Sequence, residues 1–63
     1  MDDLDIYQSA KRLLDLYGSD AMTQAAMRQA AMIERGDMEG AAVWKRIVWA
    51  VAEVQATEGR TVH

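Results

Sequence analysis

The chain has 63 residues and a formal charge of −3, with no cysteine, no proline and one histidine. These numbers exclude a disulfide, argue against a structural metal site, and disfavour a nucleic-acid binder held by phosphate contacts. A chain of this length buries only about 60% of its unfolded surface, so we expect one small domain with little net stability of its own.

Three glycines, Gly18, Gly36 and Gly59, each follow an amphipathic run and predict the ends of three helices. Glycine readily takes the left-handed conformation that follows the last turn of a helix. Ser19 and Asp37 come directly after the first two glycines, and such residues cap the N-terminus of the next helix. The predicted fold class is therefore all-α, a small three-helix domain with short Gly-capped turns.

The first predicted helix spans residues 3–17 and begins with aspartates, which the helix dipole favours at an N-terminus. At 100° per residue, its apolar side chains form one stripe. The members of this stripe are Ile6, Tyr7, Ala10, Leu13, Leu14 and Tyr17. Leu16 falls off the stripe and is expected to be exposed, as on a surface helix with one buried face.

The second predicted helix spans residues 20–35, with Ser19 as its N-cap. Its expected buried face consists of Met22, Ala25, Ala26, Gln29, Ala30 and Ile33. Met27 and Met32 flank this face on either side, so that the apolar surface is wide but shallow. An alanine-rich face of this kind favours a helix that lies between two neighbours.

The third predicted helix spans residues 38–57 and is capped by Asp37. Its main apolar face consists of Val43, Ile47, Ala50, Val51 and Val54, and Trp44 and Val48 widen it. This arc is wider than a single neighbouring helix needs. Gly40 in the first turn costs up to about 1 kcal/mol relative to alanine, which suggests the close approach of a neighbouring backbone or a later helix start. Residues 1–58 form the predicted domain, and residues 59–63 are expected to be a frayed tail.

Trp49 lies between Lys45 and Glu53 on the helical wheel, away from the apolar face of the third helix. One interpretation is an exposed anchor for a partner protein or a second copy of the chain, with Lys45, Arg46 and Glu53 as its polar rim. The alternative is that the third helix packs on two sides and Trp49 belongs to the core. Leu16 is a further candidate for the contact surface, as are Met27 and Met32.

The sequence shows no arrangement of residues typical of a catalytic or metal-binding site. His63 is terminal and isolated, there is no cysteine nucleophile, and the N-terminal aspartates lack the spacing of a calcium loop. The adjacent Lys45 and Arg46 are too few charges for a nucleic-acid patch. We therefore expect no enzymatic activity, no metal or other cofactor, no small-molecule substrate and no nucleic-acid partner.

The N-terminus is acidic, unlike the basic start of a signal peptide, and no apolar run reaches the roughly 18 residues of a membrane span. These features predict a cytoplasmic protein without membrane contact. The leading functional hypothesis is an accessory interaction module that forms a homo-oligomer, such as a dimer, or docks on another protein through the third helix. The alternative is a small acidic inhibitor or regulator of a nucleic-acid-binding protein. A helix-turn-helix DNA binder ranks below both, because the third helix begins with Met, Glu, Gly and Ala.

Residues 17–28 follow the pattern YGxDAxxxAAxR, and residues 35–47 follow the pattern RGDxxGxxVWxRI. In these two segments the chain resembles a family of small, uncharacterised proteins of alphaproteobacteria. The resemblance implies a bacterial, all-helical, cytoplasmic protein. It brings no activity, cofactor or catalytic residue to transfer.

Overall fold

The computed structural model describes residues 3–60, and the side chains of residues 3–57. Within this range the regular structure is entirely helical. It comprises α1 (Asp3–Tyr17), a 3-10 turn (Gly18–Asp20), α2 (Ala21–Glu34) and α3 (Met38–Arg60). The all-α prediction is confirmed, whereas three separate helices are not clearly shown, because helical structure is continuous from Asp3 to Glu34. The predicted ends of the helical segments lie close to those of the structure except at the end of α3.

The junction between α1 and α2 is a 3-10 turn rather than a loop, so that helical structure is continuous over residues 3–34 while the chain changes direction at this turn. Gly18 takes the predicted left-handed conformation, with a φ of 57°. The predicted cap at Ser19 is wrong, because Asp20 is the residue that precedes α2 and no side chain caps this helix. The 3-10 turn removes the need for one, since the N–H of Ala21 donates to the carbonyl of Gly18. The structure thus shows two long helical stretches rather than three helices separated by loops.

The junction between α2 and α3 reverses the chain within residues 35–37. Gly36 has a φ of 76°, its N–H donates to the carbonyl of Ile33 at 3.0 Å, and the N–H of Asp37 donates to the carbonyl of Met32 at 2.9 Å. These two bonds form a Schellman motif, which satisfies the last carbonyls of α2. Asp37 Oδ1 accepts a hydrogen bond from the N–H of Gly40 at 2.9 Å, which confirms the predicted N-cap.

Gly40 makes room for side chains rather than for a neighbouring backbone. A Cβ at this position would lie 2.7 Å from Asp37 Oδ2 and 3.0 Å from Met32 Sδ. The expected approach of another backbone is therefore wrong. The glycine instead lets the capping carboxylate and the methionine close over the first turn of α3.

A double-mutant cycle tests this reading of Gly40. Asp37→Ala is expected to lower the free energy of unfolding by about 1 kcal/mol through loss of the cap. Gly40→Ala alone is expected to give no stabilisation, because the new methyl group displaces the carboxylate. In the Asp37→Ala background the same change is expected to recover up to about 1 kcal/mol of helix propensity. Urea denaturation followed by circular dichroism measures all four proteins, and equal effects of Gly40→Ala in both backgrounds would contradict the steric explanation.

The third helix does not end at residue 57, before Gly59, as predicted but continues to Arg60. A glycine ends a helix where the following residues reverse the chain, as they do after Gly18 and Gly36. Arg60 after Gly59 is not a capping residue. The predicted end of α3 is therefore wrong, whereas the fraying of residues 59–60 stays a prediction, and residues 61–63 lie outside the described part of the chain.

The long helix α3 packs against both other helices. Met32 lies beside Gly40, and the Arg28 guanidinium lies 5.3 Å from the centre of the Trp44 ring, so that α2 runs antiparallel to α3. Asp3 meets Arg46, whereas Lys11 lies further along, beside Val54 and Thr57, so that α1 runs in the same direction as α3. The molecule is elongated, with Cα extents of 44 × 23 × 16 Å.

The core is small and rich in alanine. Its buried members are Ile6, Ala10, Leu13, Ala21, Ala25, Ala41, Ile47, Val51 and Val54. Ile47 and Val51 are the largest fully buried side chains among the described residues. Trp44, Val43 and Val48 pack partly buried against this core, as predicted for the face of α3, and Leu14 of α1 does so as well. Small residues let the helices approach closely, but they bury little apolar area.

The predicted buried faces of α1 and α2 need correction. Tyr7 is 48% exposed, and Tyr17 is exposed as well. In α2, Ala25 is the only predicted face residue that is buried, whereas the core also takes Ala21. The buried face of α2 differs from the predicted one. Ala21 and Ala25, which lie one turn apart, allow α2 to approach α3 more closely than methionine or isoleucine would. Met22, Ala26, Ala30 and Ile33 remain exposed.

Candidate protein-interaction surface

Large apolar side chains are exposed more often than they are buried in the part of the chain that the structure describes. The exposed ones are Leu4, Tyr7, Leu16, Tyr17, Met22, Met27, Ile33, Met38 and Trp49. The buried residues larger than alanine are Ile6, Leu13, Ile47, Val51 and Val54. Single exposed apolar residues are normal on proteins, whereas a contiguous group marks a contact site.

One candidate group lies on the side of α3 opposite its core face, and it includes two of these exposed residues, Met38 and Trp49. Its residues follow one another at intervals of four and three, and they are Met38, Ala42, Lys45, Trp49, Ala52 and Ala56. At 100° per residue they fall within about 80° of the helix circumference, centred opposite Ile47. We call this group the outer face of α3. Met38 is 63% exposed and Trp49 is 61% exposed, so the face projects its two largest side chains into solvent.

Trp49 is the centre of this face, and the structure confirms its exposure. Lys45 Nζ lies 5.0 Å from the centre of the indole ring, within the range of a cation–π contact. The ring borders a shallow hollow of about 330 Å³ between α1 and α3, whose lining includes Arg46 and Glu53. The predicted rim residues Lys45, Arg46 and Glu53 are thus brought together around the tryptophan.

Arg46 joins the outer face to the start of α1. Its Nη2 donates to Asp3 Oδ1 at 2.7 Å, and both side chains are open to solvent. Because an exposed ion pair is screened by water and salt, this contact positions the two helices more than it stabilises them. The guanidinium has further N–H groups, which remain available for a second acceptor.

Tyr7 is a surface residue that the sequence analysis placed in the core. It separates the hollow beside Trp49 from a second one, of about 310 Å³, lined by Lys11, Glu53 and Thr57 among others. Lys11 Nζ lies 5.8 Å from the centre of its ring. The sequence already indicated an exposed position, since Tyr7 lies at the edge of the α1 stripe and carries a polar hydroxyl suited to an interface.

A third hollow borders the outer face on the side of α2. It has a volume of about 260 Å³, and its lining includes Ile33, Met38, Ala42 and Lys45. Ile33 is 50% exposed, so the apolar surface continues from the outer face onto α2. The outer face of α3 therefore forms a ridge with a hollow along each side.

The other candidates for the contact surface lie elsewhere. Leu16 is 68% exposed, but it follows Tyr7 by nine positions, which places it on the opposite side of α1. Met27 is 60% exposed on the side of α2 away from Ala25. Met32 is half-buried beside Gly40. The structure does not bring these three residues to the outer face.

Among residues 3–60, no group of three or more His, Cys, Asp or Glu side chains is arranged to hold a metal ion. No helix in this range is both long enough and apolar enough to cross a membrane. The chemistry that the surface offers is thus that of an exposed aromatic ring with charges of both signs around it.

No protein-family model, no curated protein and no solved structure matches the chain. The resemblance to small alphaproteobacterial proteins stays a prediction.

Proposed function

We propose that this protein is an accessory protein–protein interaction module, in which three helical segments present the outer face of α3 to a protein partner. The observation that carries the proposal is Trp49, a large aromatic side chain that is 61% exposed and surrounded by charged residues. Tryptophan is enriched among the residues that contribute most to binding, typically inside a ring of polar neighbours that exclude water.

The energetic reason is that the fold leaves this apolar surface uncovered. Burying the exposed part of an indole contributes on the order of 3 kcal/mol. That is a large amount for a domain whose core is built mainly of alanine and valine. The charged groups around Trp49 stay at the rim, where they orient a partner and remain hydrated.

The charge around the outer face is mixed. Lys45 and Arg46 lie beside Asp3 and Glu53, within the reach of the same tryptophan. A mimic of nucleic acid needs a uniformly acidic surface, and this face does not provide one. The proposed contact therefore responds weakly to salt, whereas the alternative acidic inhibitor would lose affinity steeply as salt is raised.

Trp49→Lys is expected to abolish capture of a protein partner by the tagged, purified chain in chemical cross-linking from a lysate. The substitution removes the anchor and places a charge at its position. Met27→Lys is the matched control, because Met27 is equally exposed but lies on the far side of α2. The wild type and this control are expected to retain the same cross-linked protein, either a second copy of the chain or another protein, at low and at high salt.

Equal capture by Trp49→Lys and the wild type would overturn the proposal, as would capture that disappears with salt alone. Circular dichroism spectra of both variants establish that the helices are intact.

A further inference from the structure

We infer that the outer face of α3 binds a second copy of this chain, with the two α3 helices antiparallel across a two-fold axis beside Trp49. This inference rests on the proposed function and adds the identity of the partner. It is carried by the spacing of the outer face and by the charges along one edge of it.

The spacing is that of a coiled-coil seam. Intervals of four, three, four, three and four residues separate successive members of the outer face from Met38 to Ala56. Such a 3.5-residue repeat keeps one stripe of a helix in contact with a partner helix along its length. The core face of α3 is already occupied by α1 and α2, so the second stripe has no partner helix among residues 3–60.

The sizes of the residues on this seam are complementary when it is paired with itself in the antiparallel direction. A two-fold axis between residues 50 and 51 places Trp49 of one copy against Ala52 of the other, and the reciprocal pair follows by symmetry. The same axis places Lys45 opposite Ala56 of the second copy. Trp49 and Lys45 thus each meet an alanine, as close packing between helices requires.

Charge distinguishes the antiparallel pairing from the parallel one. Arg46 and Glu53 lie seven residues apart on the same edge of the outer face. In the antiparallel pair, Arg46 of each copy lies beside Glu53 of the other, which gives two opposite-charge contacts. In a parallel pair, Lys45 would meet Lys45 of the second copy inside the seam, where like charges repel.

The expected affinity is modest. In this register the members of the outer face that pair with one another run from Lys45 to Ala56, which is about 16 Å of helix, and the contact is at the small end of specific interfaces. We expect a dissociation constant in the micromolar range, with monomer and dimer in exchange.

Sedimentation equilibrium of the purified chain is the primary test. The apparent mass is expected to rise with concentration from 7.0 kDa towards twice that value and not beyond. Trp49→Lys is expected to weaken the dimer about a hundredfold, and Met27→Lys to leave it unchanged. A purified chain that stays monomeric while Trp49-dependent capture of another protein persists would overturn this inference and leave the proposed function standing. If the purified chain stayed monomeric and Trp49-dependent capture were also absent, both this inference and the proposed function would be overturned.

A charge exchange tests the pairing itself. Arg46→Glu and Glu53→Arg are each expected to weaken the dimer about tenfold, since each change places like charges together at two symmetry-related contacts. The double variant is expected to restore wild-type affinity. Asp15→Arg, an equally large charge change on exposed α1, is the control and is expected to have no effect. If the loss of dimer affinity in the double variant equalled the two single losses added together, the pairing would be wrong.

Disulfide formation tests the direction of the helices, and the absence of native cysteine makes the experiment clean. A chain carrying both Lys45→Cys and Ala56→Cys is expected to form a covalent dimer on mild oxidation, whereas Lys45→Cys alone is not. The two positions on one helix are about 16 Å apart, too far for a bond within the chain. A covalent dimer of Lys45→Cys alone would indicate a parallel pair and contradict the inference.

Discussion

Truncating Ile47 to alanine is expected to remove about 2–5 kcal/mol from the free energy of unfolding. Ile47 is 2% exposed and belongs to the core cluster that joins all three helices. The loss combines two terms. The substitution removes buried methyl and methylene groups, whose burial stabilised the fold, and it leaves a cavity. A domain of this length is stabilised by roughly 3–9 kcal/mol in total, so the variant is expected to lose about half of its stability and to unfold at a much lower urea concentration.

The matched control is Ile33→Ala, the same chemical change at a position that is 50% exposed. Ile33 makes few core contacts, and its truncation is expected to cost less than about 1 kcal/mol. Urea denaturation followed by circular dichroism at low protein concentration separates the two cases. Similar midpoints for the two variants would contradict the position of the core face of α3. Protein concentration matters here because a dimer would add apparent stability.

The helix boundaries that depend on local chemistry were predictable from the sequence. Gly36 followed by Asp37 specifies both the end of α2 and the start of α3, and the structure shows the left-handed glycine and the capping carboxylate. Gly18 was predicted equally well, because a positive φ after a helix is a local requirement. The N-cap at Ser19 was predicted wrongly, since a 3-10 turn can satisfy the same backbone groups without any side chain.

The buried face of a helix was predictable only where its large side chains lie on one side. In α3, the branched residues Ile47, Val51 and Val54 fix that face, and the structure buries all three. In α2, alanines occur all around the helix, so the apolar pattern has no sharp maximum. The orientation of α2 is then decided by how closely its backbone can approach α3, which the sequence alone does not specify.

The candidate site was predictable in part. Trp49 stood out because it lies opposite the core face of its own helix, which is a local property. Tyr7 and Ile33 border the hollows along the outer face because of how α1 and α2 pack on α3, and this depends on tertiary structure. Leu16 was included for its exposure alone, which says nothing of its distance from Trp49.

The same geometry connects the small core to the proposed dimer. Alanine at the contacts brings the helices close together, and the large apolar residues that would fill a wider core are found outside. A second copy on the outer face covers Trp49, so that association supplies burial which the fold lacks.

Ala25→Leu is expected to lower the free energy of unfolding by about 1–3 kcal/mol, whereas Ala26→Leu is expected to change it by less than about 0.5 kcal/mol. The sequence pattern placed both alanines on the buried face of α2, but the structure buries Ala25 completely and exposes Ala26. Leucine at position 25 adds a bulky side chain where α2 packs most closely, and it pushes the helices apart. At position 26 the same side chain extends into solvent, with a helix propensity close to that of alanine.

The pair is a matched comparison, because the substitution and the helix are the same and the two positions are adjacent. Urea denaturation of both variants measures the difference in the free energy of unfolding directly. Equal destabilisation would mean that α2 presents the face predicted from its pattern, and the alanine contact with α3 would then be wrong. A large effect at Ala25 alone would establish that close approach of the backbones, rather than the apolar pattern, sets the orientation of α2.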